Sequence, residues 1–391
     1  MKSIERILTL VSLAALPALC HGAELTVTAI NPLQIARSNE TIELSGKALA
    51  PLGEKELNRI HVADAAGKDL ICQAMDTDYD AFHTPDIVIF QADFGPGETK
   101  TFKVSVGKKQ EFNKEQFKAF GRFVRERFDD FAWENDRIAH RTYGKALETW
   151  EGEPLSSSTI DIWSKRTPRM VINDWYLADH YHEDTGEGAD FFSAGLTRGD
   201  GGNGLWAADR LWTSRNFVDS RVLANGPIRV MFELVYEPYE VNGMSVSEVK
   251  RVTLDAGQNL DHYESFYKPY AGPGRHPALT TGIGLKKVGG DEKDLNTEHG
   301  WLACWEKMEK NAGNQGVAII FDPKLFERQT EDKLNHLVLQ KVPANYVASW
   351  WAGFCWDKFG PATDFDGWKK YVDEFAQGIA SPIQVTVTEQ N

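Results

Sequence analysis

The sequence predicts an all-β protein, a large antiparallel β-sandwich carrying a few short helices. Three observations predict it. Apolar residues recur at every second position in segments such as "LTVTAIN", "TIELSG" and "TKTFKVSVG", the period of a strand with one buried face. These runs are separated at short intervals by Gly, Pro, Asn and Asp, as strands joined by turns are. One stretch alone, "DFDGWKKYVDEFAQGI", carries a clear helical apolar stripe.

The first element is not part of the fold. Met1–Ala23 has a basic start, a short apolar run and small residues at its end, the pattern of a secretory signal peptide. Cleavage is expected near Ala23, with export to the periplasm or the medium. Cys20 raises the question of a lipid anchor, but Leu19 stands where such a site wants a small side chain. No later run approaches the ~20 apolar residues of a membrane span. Residues 24–110 read as a strand-rich N-terminal part of the same sandwich, and residues 111–391 as its carbohydrate-active part.

From Glu24 to Gly107 the strands alternate, with "GPGE" as a turn signal. The segment "FNKEQFKAFGRFVRERFDD" has helical spacing of Phe112, Phe117, Phe120 and Val124, yet its second half also extends as strand. Strands follow at "PRMVINDWY", "SRVLANGPIRVMFELVYEPYEV", "SVSEVKRVTLDAG", "LDHYESFYK", "LTTGIGLKKV", "QGVAIIFD", "NHLVLQKV" and "YVASWWAGFCW". An Asn-Gly pair between the second and third of these predicts a hairpin of long strands. In the late helix Trp368, Tyr371, Val372 and Phe375 share a face, with Asp364 or Asp366 as cap.

Composition narrows the function. The net charge of −14 excludes the basic field that nucleic-acid binding needs, while a local Arg still suffices to capture an anionic small substrate. Twelve Trp and 21 Phe suit sugar recognition, because aromatic faces meet sugar C–H faces. Trp206, Trp305, Trp350, Trp351 and Trp356 are the rings considered for it. Beyond the leader only Cys72, Cys304 and Cys355 remain. That is no disulfide framework, and pairing of Cys304 with Cys355 stays open. Oligomeric state is not legible.

Two polar segments carry the chemistry. In "WENDRIAHRTYG" an extended backbone turns His140 and Thr142 one way and Arg141 and Tyr143 the other. The segment "DHYHEDTGEGADFFSAG" is a loop, since Gly186 and Gly188 break both helix and strand. It brings Tyr181 and His182 beside Glu183, and offers His180, Asp184, Glu187 and Asp190 as ligands for a divalent metal, although their order matches no defined ligand motif. Arg198 and the Gly-rich run after it follow closely. A third polar loop, Tyr270–Leu279, carries Arg275 and His276.

Together, "WENDRIAHRTYG", "DHYHEDTGEGADFFSAG" and "NGPIRVMFELVYEP" resemble the domain of unknown function 4861 (DUF4861) family, over nearly the whole mature chain. That resemblance implies a galactose mutarotase-like supersandwich. It also implies a secreted lyase of polysaccharide degradation, since the family includes an oligosaccharide dehydratase acting on a terminal uronic acid of ulvan fragments. The expected partner is an acidic oligosaccharide. Arg141 or Arg198 would hold its carboxylate, with Tyr181, Trp206 and Arg275 as further binding residues. His140, Tyr143 or His182 would act as acid and base. No cofactor is required by the sequence. The alternatives are a glycoside hydrolase using paired carboxylates, Glu183 with Glu187 or Glu134 with Asp184, and a non-catalytic sugar-binding or mutarotase-like protein.

Overall fold

A computed structural model describes residues 24–77, 84–152, 154–272 and 274–389. The segment expected to be a signal peptide, Cys20 included, lies outside the described residues. The described chain is all-β, with antiparallel pairing throughout its ladders. None of its helices is long and apolar enough to cross a membrane.

An eight-stranded sheet forms the back of the molecule. Its order is Asp219–Asn225, Arg229–Val241, Met244–Asp255, Leu260–Tyr270, Val347–Trp356, Asn314–Ile320, Trp301–Lys307 and Glu292–Asn296. The long hairpin at its heart turns at Asn242 and Gly243, both at positive φ, 48° and 82°. That is the backbone a two-residue hairpin requires, and it is why Asn-Gly stands there. Two five-stranded sheets contribute to the same core. One runs Arg210–Trp212, Asp200–Ala207, Thr280–Lys286, Asn335–Lys341 and Phe326–Glu331. The other runs Gly188–Ala189, Asp161–Lys165, Ala139–Thr142, Asp130–Asn135 and Ala119–Val124. Side chains such as Trp133, Phe232, Leu254, Ile283, Val317 and Trp350 interdigitate between them.

The N-terminal strands and the last strand, Gln384–Glu389, build a five-stranded and a three-stranded sheet around Val27, Leu44, Val88, Phe90 and Val104. The chain's first strand, Leu25–Ile30, pairs with its last. Helix Phe365–Ala380 is capped by Asp364, whose carboxylate accepts the Gly367 N–H, and it buries Trp368 and Val372 against the eight-stranded sheet. Cys304 and Cys355 are buried free thiols, as is Cys72.

One expected strand is a helix instead. "PRMVINDWY" folds at Ile172–Ala178 as a helix burying Ile172, Trp175 and Tyr176. Its N-terminus has no local side-chain cap. The Val171 and Ile172 N–H groups donate to the Glu134 carboxylate at 2.9 and 2.8 Å, so the cap comes from a strand 37 residues earlier. A further segment resolves to strand: after a 3-10 turn at Lys114–Gln116, Ala119–Val124 is extended.

Candidate active site

The sheet Ala119–Ala189 carries the polar cluster. Arg141 and Asp161 are cross-strand neighbours, and the Arg141 guanidinium, buried, is the hub. Its Nε donates to Asp161 Oδ2 at 2.9 Å and its Nη2 to Asp190 Oδ2 at 2.9 Å. Asp130 Oδ2 lies 3.6 Å from Nη1. The rings of Tyr143, Trp163 and Tyr181 box the cation at 5.3–5.7 Å. Tyr143 donates its O–H to Asp161 Oδ2 at 2.8 Å, so alternation along the strand points Arg141 and Tyr143 at one carboxylate. Arg127 Nε donates to the Tyr181 hydroxyl at 2.7 Å, and Tyr176 O–H to Asp130 Oδ2 at 3.3 Å.

The loop 180–190 closes over this cluster. The Asp190 N–H donates to the Tyr181 carbonyl at 2.7 Å. Asp184 accepts from the Gly186 and Gly188 N–H groups, and both its oxygens accept from Arg166 Nη2. His182, its side chain 55% exposed, stands with Nδ1 3.4 Å from Asp190 Oδ2 and its ring against Tyr181 at 4.5 Å. Lys310 Nζ donates to the His182 carbonyl at 2.8 Å. Gly188 sets the loop's end: at φ +116°, a Cβ there would lie 2.1 Å from the Ser164 carbonyl oxygen. Gly188→Val is therefore expected to unseat the loop and lower stability by about 1–3 kcal/mol. Urea unfolding, with His182 NMR shifts as the local reporter, checks both effects.

Burial governs the electrostatics. It raises the Asp190 carboxyl well above the usual carboxylate range, with neighbouring Asp161 adding to the rise. Burial lifts Asp130 to about 7 against the pull of Arg141. Tyr143 is pushed well up by burial and then by Asp161. His182 is pushed down by partial burial and by Arg141, which keeps its imidazole neutral and able to accept a proton near pH 7. The cluster thus pairs a neutral base at the surface with proton-bearing groups beneath it.

Other expected residues lie elsewhere. His140 faces the opposite side of the strand, deep in the core: Nε2 is 3.0 Å from Asp261 Oδ2 and its ring stacks on Trp133. It does not join His182. Arg198 is buried with Ser157, Ser158 and the Leu196 carbonyl as partners, and among the described residues no hydrogen bond or ion pair links it to the Arg141 cluster. Trp206 is half-buried near a sheet edge, with Arg328 5.9 Å over its ring. Arg275 and His276 are exposed in their loop, away from the cluster's hydrogen bonds. Trp305, Trp350 and Trp356 are core, and Trp351 stacks on His262 at 4.3 Å.

The four metal candidates do not assemble. Asp184 faces Arg166, Glu187 faces Arg169, Asp190 faces Arg141, and His180 is exposed. Among the described residues three possible ligand atoms gather at Asp291, Cys304 and His336 instead. There Asp291 and His336 already share a 2.9 Å hydrogen bond and Lys293 Nζ sits 3.3 Å from the other ring nitrogen. Glu134 forms a buried pair with Lys165 at 2.7 Å besides capping the helix, so it has no free oxygen for a carboxylate pair with Asp184. Sequence reasoning missed Asp130, Asp161 and Lys310. The signal for Asp161 is one carboxylate inside the apolar strand "TIDIWS", a position that demands a buried partner.

A second buried acid gives a pH dependence. Both carboxylate oxygens of Asp200 lack a hydrogen-bond partner among the described residues, and burial raises it to about 8. A carboxyl raised in the folded state binds more protons there than when unfolded, between its two pKa values. Stability therefore falls as pH rises across that interval, from about 4 to about 7 for Asp130 and about 8 for Asp200. The thermal midpoint is expected to drop from pH 5 to pH 8, and Asp200→Asn to flatten that slope in parallel melts.

Comparison with known proteins agrees with this architecture. The "Uncharacterized protein P7" of Formosa agariphila is 30% identical over 377 residues, spanning 92% of this chain and 93% of its own. A protein in glycosyl hydrolase family 38 from Enterococcus faecalis superposes with a TM-score of 0.51 at 10% identity, over 95% of this chain and 48% of its own. An alpha-mannosidase from Enterococcus faecalis V583 does so with a TM-score of 0.51 at 11% identity, over 93% and 46%. The likeness to both is one of fold, and this chain spans about half the length of each. The supersandwich expected from the sequence is the fold observed. The matched segment, residues 30–385, carries nearly all of it, and the chain belongs to the DUF4861 family, a domain of unknown function.

Proposed function

We propose that the protein is a secreted carbohydrate-active lyase that removes water from a terminal uronic acid of a polysaccharide-derived oligosaccharide. The observation carrying this reading is the meeting of Tyr143, His182 and Asp190 around Arg141. Elimination beside a carboxylate needs that carboxylate neutralised, a base for the adjacent proton and an acid for the leaving hydroxyl. His182 takes the proton from the carbon next to the carboxylate. The electron pair forms the new double bond, the neighbouring carbon–oxygen bond breaks, and Tyr143 protonates the departing hydroxyl to water. Asp161 orients the phenol. Arg141 is already engaged by three carboxylates, so it organises the acids and does not hold the substrate. Lys310, exposed beside His182 and with no carboxylate within 4 Å among the described residues, takes that part.

A hydrolase is the second reading, favoured by one observation: Asp161 and Asp190 share a guanidinium while burial holds Asp190 toward its protonated form, the asymmetry an acid–base pair needs. Absorbance at roughly 230 nm, where a double bond conjugated to the carboxylate absorbs once a proton and a hydroxyl have left, separates the two. Its rise on uronate-terminated oligosaccharides supports the lyase. New reducing ends without that band support the hydrolase.

A further inference from the structure

A cavity of about 270 Å³ lies beside this cluster and has no part in the chemistry described so far. Strands Trp301–Lys307 and Asn314–Ile320 supply its polar side, where Glu306 and Gln315 are cross-strand neighbours. Gln315 Nε2 donates to Glu306 Oε1. Glu306 Oε2 and Gln315 Oε1 are then buried acceptors without a donor among the described residues. Phe191, Phe192 and Met308 give the cavity an apolar wall. Lys286 borders it too, with Nζ 3.3 Å from Glu309 Oε1 and 4.7 Å over the Phe192 ring.

Two buried acceptors with no donor are costly unless a ligand supplies hydrogens. The Lys286 ammonium in the same lining disfavours a metal cation as that ligand. What remains is a molecule with hydroxyl donors on one side and an apolar C–H face on the other, the profile of a sugar ring. The space falls just below the ~300–1,000 Å³ of pockets for drug-sized ligands, room for one ring. The cavity also shares a wall with the cluster. Phe191 and Phe192 follow Asp190 directly, the Phe192 N–H donates to Asp190 Oδ1 at 3.2 Å, and Glu309 and Lys310 reach back to Ser193 and His182.

We infer that this cavity is the subsite for the sugar next to the one that reacts, with Glu306 and Gln315 accepting its hydroxyls. The inference rests on placing the reacting sugar at His182 and Asp190. A carboxyl that burial lifts to about 7 fits an acid with no cation in contact.

Calorimetric titration with the uronic acid monosaccharide and a uronate-terminated disaccharide tests it, on the parent protein and on Glu306→Gln and Gln315→Met. The disaccharide should bind the parent about tenfold more tightly than the monosaccharide, the worth of one hydrogen bond to a charged group. Each variant should erase most of that difference and leave monosaccharide binding within about twofold, since substitutions outside a contact change binding little. Equal affinity for both lengths in the parent, or equal weakening of both in the variants, overturns the subsite. Absorbance of the same mixtures reports the reaction separately. A length effect that persists with no alkene formed overturns the elimination and leaves the subsite standing, whereas alkene formation without a length effect overturns the subsite alone.

Discussion

His182→Ala is expected to lower turnover of a uronate-terminated oligosaccharide by about 10²–10⁴-fold, the usual contribution of a positioned general base. Binding should fall far less, because the imidazole is proposed to act on the reacting proton. The change should also leave the fold intact: His182 is half exposed, and among the described residues its one ion-pair neighbour is Asp190 at 3.4 Å. Steady-state kinetics with parallel thermal melts check both halves. A rise in KM with kcat unchanged would assign His182 to recognition only, and unchanged kcat and KM would remove it from the site. The pH profile adds a second reading. With His182 pushed below its ordinary range, the acidic limb of kcat should fall under pH 6.5, and the variant's residual activity should lack that limb.

The largest effect on stability is expected from Arg141→Met. Removing the guanidinium leaves Asp130, Asp161 and Asp190 buried together, and among the described residues Asp161 and Asp190 keep only Tyr143 and His182 as side-chain partners beside the Ile162 and Phe192 N–H groups. Breaking a buried pair in this way costs about 3–5 kcal/mol, a large part of the ~5–15 kcal/mol of a typical domain. The penalty should shrink as pH falls toward 5, because protonating the carboxyls removes their mutual repulsion. Arg141→Lys should recover little, since one ammonium cannot reach the fork of carboxylates that a guanidinium spans. Denaturant unfolding at pH 5 and pH 8 measures this. Equal loss at both values would mean that packing against Tyr143, Trp163 and Tyr181, not charge, is what Arg141 supplies.

Local sequence signals carried most of the architecture. The Asn242–Gly243 turn, the Asp364 cap and the alternation that sets Arg141 and Tyr143 against His140 each depend on residues within a few positions of one another, so the chain alone shows them. The features that escaped depend on distant partners. Helix Ile172–Ala178 takes its N-terminal cap from Glu134, a residue that otherwise suggests acid chemistry. Asp161 and Asp130 become site residues only once strands pair. Asp184 and Glu187 look like metal ligands in a dense acidic loop, yet Arg166 and Arg169, some 18 residues upstream, hold them. Arg198 sits eight residues beyond Asp190 in the chain, but its side chain turns to Ser157 and Ser158. Nearness along a loop did not become nearness in space, because the strand beginning at Asp200 enters a different sheet.

The most direct measurement is the reaction run in heavy-oxygen water, with a uronate-terminated oligosaccharide and products weighed by mass spectrometry. The acid–base elimination predicts a product lighter than the substrate by one water, unbroken in its glycosidic linkages and carrying no label. Fragments bearing heavy oxygen, with no dehydrated species, would contradict it and make the Asp161–Asp190 pair the machinery of hydrolysis.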